Sequence, residues 1–444
     1  MEISNFEQTG LETVVEWIEE NKIDDLEQDS LEEALKRVNI SFVLEGINRA
    51  QSTLLCELKD SYVQQSQRYV SLDEDAYQLP DLAKEDKEQA QSLVNQAFQL
   101  YEEMSQLKEG DFKGRPKLEH YKYGIPIEDA RYILPLATKT NISVAMTGNK
   151  LYNLFSLLFE EKYAALFKEL REELLARLPD AVVNLLPTDF ESSYDAKLIN
   201  KLYQDDLAKL NPEEDMILLD SFDDLDLKVG LGAATSTSAQ VPSQKLASWG
   251  DKAEEKAEAL AQRVLGYGHE SIAEQARTTF AMICSLVTYH QQIRHRLSQN
   301  HREELLNLIL KERPVLVPPT IVDTKFENDF VDLAAEIKEF RSYIYEEYGL
   351  DKALTFLLNC DQIKLIISTN ARIDNEMLSE RICFNAQWEI RELATKKLLR
   401  LRELSDILYE NALPSCVYGT CTEGQLSCGR ADEMRNKFLD TKKN

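Results

Sequence analysis

Apolar positions recur at helical spacing through residues 11–36, where acidic side chains occupy the polar face, and again through 46–58. Between them, Asn39–Leu44 (NISFVL) is β-branched and aromatic and predicts a short strand. The same periodicity predicts helices over 83–107 and 150–177, with Ala130–Met146 read as a turn leading into a strand. In the second half, helices are expected over 251–266, 285–298, 327–347 and 376–411, and strands at Thr278–Ile283 and Ile363–Ser368. Pro314, Pro318 and Pro319 mark a connection. Residues 415–430 read as a Gly/Cys-rich loop. An acidic stretch from Pro179 to Asp226, containing Pro187 and Pro212, separates the halves and predicts a boundary near 205–220.

The two halves share an order of elements. Without gaps, SFVLEGINRAQSTLLCEL at 41–58 lies over TFAMICSLVTYHQQIRHR at 279–296, with Phe42 on Phe280. Further on, the segment from Thr147 lies over the segment from Thr369; in both, an extended stretch feeds a helix. Repetition of this kind is the mark of a tandem duplication. The expected fold class is α/β (α+β). Each repeat is a small sheet with long helices packed on it, one over 1–210 and one over 211–444.

A chain of 444 residues exceeds one ordinary core, which agrees with two domains. No apolar run is long enough to span a bilayer. The acidic N-terminus lacks the basic and apolar regions of a signal peptide, so a cytoplasmic protein is expected. A net charge of −27 argues against nucleic acid and anionic lipid as partners. Against that background the window Gln275–Arg302 is unusual. It has no Asp or Glu, carries Arg277, Arg294, Arg296 and Arg302, and overlaps the region that holds His269, His290, His295 and His301. Such a window reads as a local anion site, or as a basic face paired with acidic neighbours elsewhere in the fold.

Helical spacing puts Gln291 and Arg294 on one face. A guanidinium fork suits phosphate, and a Gln amide can pair with a pyrimidine carbonyl or imide. Gly268-His269 precedes a strand and leaves room for a ligand near the backbone. Ser66 and Arg68 point to one side if that segment is extended. Cys416, Cys421 and Cys428 could hold zinc or an iron–sulfur cluster with a fourth ligand such as Cys383. The spacing contains no CxxC pair, which favours a structural tail without metal.

The strings GHESIAEQARTTFAM, QQIRHRLS, TNAR and RICFNAQWEIRELA resemble the flavin-dependent thymidylate synthases, the ThyX family. INRAQSTLLCELKDSYVQQSQRYV and ARYILP resemble further family motifs, so the likeness runs over about 38–170 and 230–415. The resemblance implies an enzyme that reductively methylates dUMP to dTMP in nucleotide biosynthesis. FAD is the implied cofactor, with NADPH and methylenetetrahydrofolate as co-substrates. It implies substrate contacts from Gln64, Ser66, Arg68, Arg131, Gln291, Arg294 and Arg381. It implies flavin contacts from Thr237, His269, Arg294, His295, Arg296, Asn370 and Arg372, with Arg294, His295 and Arg296 nearest the chemistry.

Each half departs from the family pattern where the other keeps it. The Arg-His-Arg positions of the first half hold Cys56, Glu57 and Leu58, while the second half has Glu304 and Leu306 where the family has Ser and Arg. Gly148 and Lys150 stand opposite Asn370 and Arg372, and Phe159 stands opposite Arg381. Complementary losses imply composite sites drawing on both repeats, with a homodimer forming a pseudo-tetramer of repeats. Two other readings stay open: an enzyme acting on another pyrimidine nucleotide, and a catalytically inert flavin- or nucleotide-binding scaffold.

Overall fold

The computed structural model describes residues 1–23, 28–59, 61–68, 70–110, 116–186 and 197–439; Tyr69 and Pro187 lie outside them. It has an α+β architecture with two four-stranded antiparallel sheets of identical strand order. The first sheet runs β1-β2-β4-β3, from β1 (Glu2–Thr9), β2 (Asn39–Asn48), β3 (Ser61–Gln64) and β4 (Lys139–Thr147). The second runs β5-β6-β8-β7, from β5 (Met216–Ser221), β6 (Arg277–Ser285), β7 (Gln299–Arg302) and β8 (Gln362–Asn370).

The strands expected from the sequence are the central ones. β4 alternates strictly, burying Thr140, Ile142, Val144 and Met146 on one face. β6 is buried on both faces. Phe280 enters a large cluster with Val229, Leu378 and Leu398, whereas Ala281 and Ile283 meet Leu207, Leu210 and Ile366. The four strands absent from the sequence reading, β1, β3, β5 and β7, are the edges of the two sheets. β3 and β7 are only four residues long and mostly polar, and this polarity hides an edge strand from periodicity.

Several long helices expected from the sequence are divided. The 285–298 helix is only Leu286–Gln292, capped by Ser285, whose Oγ accepts from the Thr288 amide at 3.1 Å. The chain then turns, with Ser298 Oγ donating to the His295 carbonyl at 2.6 Å, and enters β7. Arg294, His295 and Arg296 therefore follow the helix rather than end it. The 376–411 helix is replaced by Ala371–Arg381 and Trp388–Leu404. Each starts at an amide side chain: Asn370 accepts from the Ile373 amide, and Gln387 from the amides of Glu389 and Ile390. The 150–177 helix breaks into Leu151–Phe159 and Lys168–Leu175, and 11–36 breaks after Asn21.

The described residues form two compact units. The first comprises 1–196, 285–294 and 304–362, and the second 197–284, 295–303 and 363–444. These units do not follow a single cut at 210/211, because two segments of the second repeat belong to the first unit. Backbone pairing inside that unit accounts for this. The amides of Leu136 and Ala137 donate to the carbonyls of Leu357 and Thr355 at 2.7 and 2.6 Å. The amides of Asn359 and Cys360 return the pairing to Leu134 and Tyr132 at 3.0 and 2.9 Å. Among the described residues, no helix is long and apolar enough to cross a membrane.

In the second unit Lys397 and Asp374 form a buried ion pair at 2.7 Å, and Thr369 donates to Asp374 at 2.9 Å. The pair joins the end of β8 to two helices. Lys397→Met strands a buried carboxylate and is expected to cost about 3–5 kcal/mol in urea unfolding. Adding Asp374→Leu should restore most of that loss; no recovery would show that the pair is not the source of the cost.

Candidate active site

The first unit contains a set of buried cations. Arg49 opens the helix Arg49–Glu57, whose cap, Asn48, exchanges side-chain hydrogen bonds with Gln51. Arg49 is 4% exposed, and one Nη donates to His290 Nδ1 at 2.9 Å. An arginine can only donate, so His290 Nδ1 is an acceptor and its proton is on Nε2. That Nε2–H donates to Thr53 Oγ1 at 2.6 Å, and the Thr53 hydroxyl donates to the Arg49 carbonyl at 2.7 Å.

Arg131 lies in a single 3-10 turn at Arg131–Ile133 and is 6% exposed. Its Nε donates to the Glu128 carbonyl at 3.1 Å, and Arg68 Nε donates to the Glu128 carboxylate at 2.9 Å. Glu128 thus brings Arg68 and Arg131 together. Ser66 Oγ accepts from the Arg68 amide at 3.2 Å, which shapes the turn after β3. Gln64 donates to Ser52 Oγ on the helix that Arg49 opens. Gln291 is buried on the Leu286–Gln292 helix and donates to the Val287 carbonyl at 3.3 Å.

Several polar atoms in this unit have no hydrogen-bond partner among the described residues. Arg49 Nε, one Nη of Arg131, Gln291 Oε1 and both amide atoms of Gln67 are buried without a hydrogen bond. Buried polar groups are ordinarily satisfied, so the orphaned atoms of Arg49 and Arg131, whose charges bear on each other, call for a ligand or water. The charges agree. Burial, then Arg131 and Arg294, press the Arg49 guanidinium down to about 9. Burial, then Arg68, presses Arg131 down to about 10. Both remain cations at neutral pH. His290 is driven well below its ordinary value by burial and by Arg49, Arg131 and Arg294. The arrangement is chemically fit for an anion carrying a polar ring.

Residues of both sequence repeats meet here within one chain: Ser66, Arg68 and Arg131 from the first, Gln291 and Arg294 from the second. Arg49, Thr53 and Gln67 lie in the family-like stretch but are not among the contacts that the resemblance implies. One signal was available for Arg49: a cation in the first turn of a helix opposes the helix dipole.

The second unit holds the remaining candidates. Thr237 and His269 line one cleft of about 680 Å³ together with Lys245, Trp249, Lys256, Arg263 and Tyr267. Its named lining contains cations and aromatic rings and no carboxylate, which suits an aromatic anion. Thr237 Oγ1 is turned to the Ala233 carbonyl at 2.7 Å. Gly268, with φ of +82°, makes the turn before His269. Arg381 Nε donates to His295 Nε2 at 2.8 Å, and Arg372 pairs with Glu274 at 2.6 Å. Asn370 is the helix cap described above, and Arg296 is exposed. None of Asn370, Arg372, Arg381, His295 and Arg296 lines the cleft.

Cys383, which follows the Ala371–Arg381 helix, and Cys416, Cys421 and Cys428 of the C-terminal loop are free thiols. Burial raises the pKa of Cys383 and Cys416. Among the described residues no three His, Cys, Asp or Glu side chains are grouped to hold a metal ion.

Comparison with known proteins gives a consistent result. The model of a family described as "Thymidylate synthase complementing protein" matches residues 4–180 and 218–405. A flavin-dependent thymidylate synthase of Clostridium tetani is 30% identical over 233 residues, 48% of this chain and 92% of its own length. One from Thermococcus kodakarensis is 37% identical over 178 residues, 37% of this chain and 72% of its own length. A crystal structure of flavin-dependent thymidylate synthase ThyX from Helicobacter pylori, complexed with FAD and dUMP, aligns at 19% identity. It covers 45% of this chain and 99% of that one, with a TM-score of 0.36.

The neutral state of His290 has a consequence for stability. The unfolded chain protonates this histidine below pH about 6.5, while the folded site resists the charge. Unfolding then takes up a proton, so stability is full above that pH and falls as pH drops toward the folded value. The wild type should lose about 1.4 kcal/mol per pH unit more than His290→Gln in that window. Equal slopes in denaturant titrations of the two proteins would show that His290 charges in the folded state.

Proposed function

This chain belongs to the thymidylate synthase complementing protein family, in two tandem copies, and on that premise we propose that it reductively methylates dUMP to dTMP. FAD would be its cofactor, with NADPH and methylenetetrahydrofolate as co-substrates. The observation that carries this reading is the buried cation cluster of the first unit, with the buried Gln291 Oε1 of the same unit making no hydrogen bond among the described residues. A nucleotide brings what that cluster lacks: a phosphate for the guanidinium groups and an imide N–H for the Gln291 acceptor.

In this reading Arg68 and Arg131 bind the phosphate, with Ser66 and Gln64 holding the turn and the adjoining helix in place. Gln291 orients the pyrimidine. Arg294 stabilises the negative charge that develops on a ring carbonyl as the ring carbon takes up the one-carbon unit. FAD, reduced by NADPH, would supply the hydride. Thr237, His269 and the cationic, aromatic cleft around them fit the dinucleotide, while Asn370, Arg372, His295 and Arg296 complete the flavin side and Arg381 serves the substrate. A homodimer would arrange four repeats as a pseudo-tetramer in the cytoplasm.

The test is a purified protein supplied with FAD, dUMP, methylenetetrahydrofolate and NADPH. A yellow preparation that forms dTMP is expected. Arg131→Ala and Arg294→Ala should each lower kcat/KM by at least ~100-fold, about 2.7 kcal/mol. A flavin-loaded enzyme that ignores dUMP but converts another pyrimidine nucleotide would change the substrate. A protein that takes up no flavin would be a binding scaffold.

A further inference from the structure

Arg49 lies inside the family-like stretch INRAQSTLLCELKDSYVQQSQRYV but is not among the contact residues that the resemblance implies, and it is the more buried of the two buried arginines of the cluster. Resting on the reading of this site as a nucleotide site, we propose that Arg49 is a direct ligand of the substrate's phosphate, aimed by His290 and Thr53 acting as positioning residues.

A purely structural arginine would pair with a carboxylate, and among the described residues Arg49 does not. There its one side-chain partner is a neutral imidazole, its Nε is unpartnered, and the charges that bear on it most are Arg131 and Arg294. A buried guanidinium in that company is costly until an anion arrives. Glu128, the carboxylate of the site, already accepts from Arg68. Asp129 accepts from Thr320 at 2.8 Å. Glu128 and Asp129 offset part of the Arg131 charge, whereas no carboxylate bears on Arg49 among the described residues. A phosphate monoester carries about two negative charges at neutral pH. The uncompensated Arg49 charge points to a nucleoside monophosphate rather than a nucleoside.

The hydrogen-bond circuit explains how the group is aimed. Arg49 donates to His290 Nδ1, His290 Nε2–H donates to Thr53, and Thr53 donates to the Arg49 carbonyl. The circuit closes on the residue it orients, and only a neutral His290 permits it. Neither residue is duplicated. In the ungapped overlay of the repeats, Val287 stands opposite Arg49 and Ser52 opposite His290. One copy supplies the charge and the other supplies its acceptor.

The test compares wild type, Arg49→Met and Arg49→Lys in the full chain. Calorimetry measures dUMP, deoxyuridine and inorganic phosphate, and melting measures the ligand-free proteins. Arg49→Met should weaken dUMP and phosphate at least tenfold and leave deoxyuridine unchanged. Its ligand-free Tm should hold or rise, because an uncompensated buried charge is gone. Arg49→Lys should recover part of the affinity. Equal losses for dUMP and deoxyuridine, or an unchanged ratio of the two with a lower Tm, would overturn the assignment and leave Arg49 a structural residue. Wild type that binds phosphate through Arg49 but not dUMP would uphold the assignment while removing the pyrimidine reading. Wild type that binds no phosphate would remove the assignment.

Discussion

The first unit is organised around positive charge that the protein itself leaves only partly compensated. Arg49 and Arg131 are buried, and like charges on Arg68 and Arg294 bear on them. Folding such a cluster costs desolvation and repulsion that core packing must offset. The surrounding backbone is correspondingly well tied. The helix that starts at Arg49 is anchored by amides of Arg49 and Ala50 on the carbonyls of Thr138 and Leu136 at 2.9 and 3.1 Å. The equivalent helix of the second repeat is anchored by Leu286 and Val287 on Asp361 and Asn359, at 2.9 and 3.2 Å.

Those anchors show how duplication reshaped the site. The two anchoring segments pair with each other through Tyr132–Ala137 and Thr355–Cys360, so equivalent pieces of the two repeats share one unit. Once both copies sit in one chain, each position of the pair is free to differ. Arg49 faces His290, Thr53 faces the same ring, and Tyr289 donates to Glu57 at 2.6 Å. None of these contacts joins identical residues, so the helices have diverged into complementary surfaces.

The second unit has a different character. Its cleft is broad, lined by lysines and aromatic rings on helices, and its other candidate residues already have protein partners: His295 with Arg381, Arg372 with Glu274. A ligand there would exchange existing contacts for its own. In the first unit it would satisfy atoms that now have none. The unpartnered atoms make the first unit the more sharply defined of the two sites.

The sequence by itself determined the duplication, the α+β class and the four central strands, because burial on a sheet face or helix face leaves a periodic trace. It also marked Ser66, Arg68, Arg131, Gln291 and Arg294 as candidates, through resemblance to a family. It did not show the edge strands, whose polar residues carry no trace of pairing, nor the helix breaks, which depend on caps such as Asn370 and Gln387. Arg49, Thr53 and His290 became a set only in three dimensions. Hydrogen bonding and charge compensation act over a few ångströms, and those residues stand about 240 positions apart along the chain. Local patterns record what each residue buries; only the folded chain decides which distant charges must share the same space.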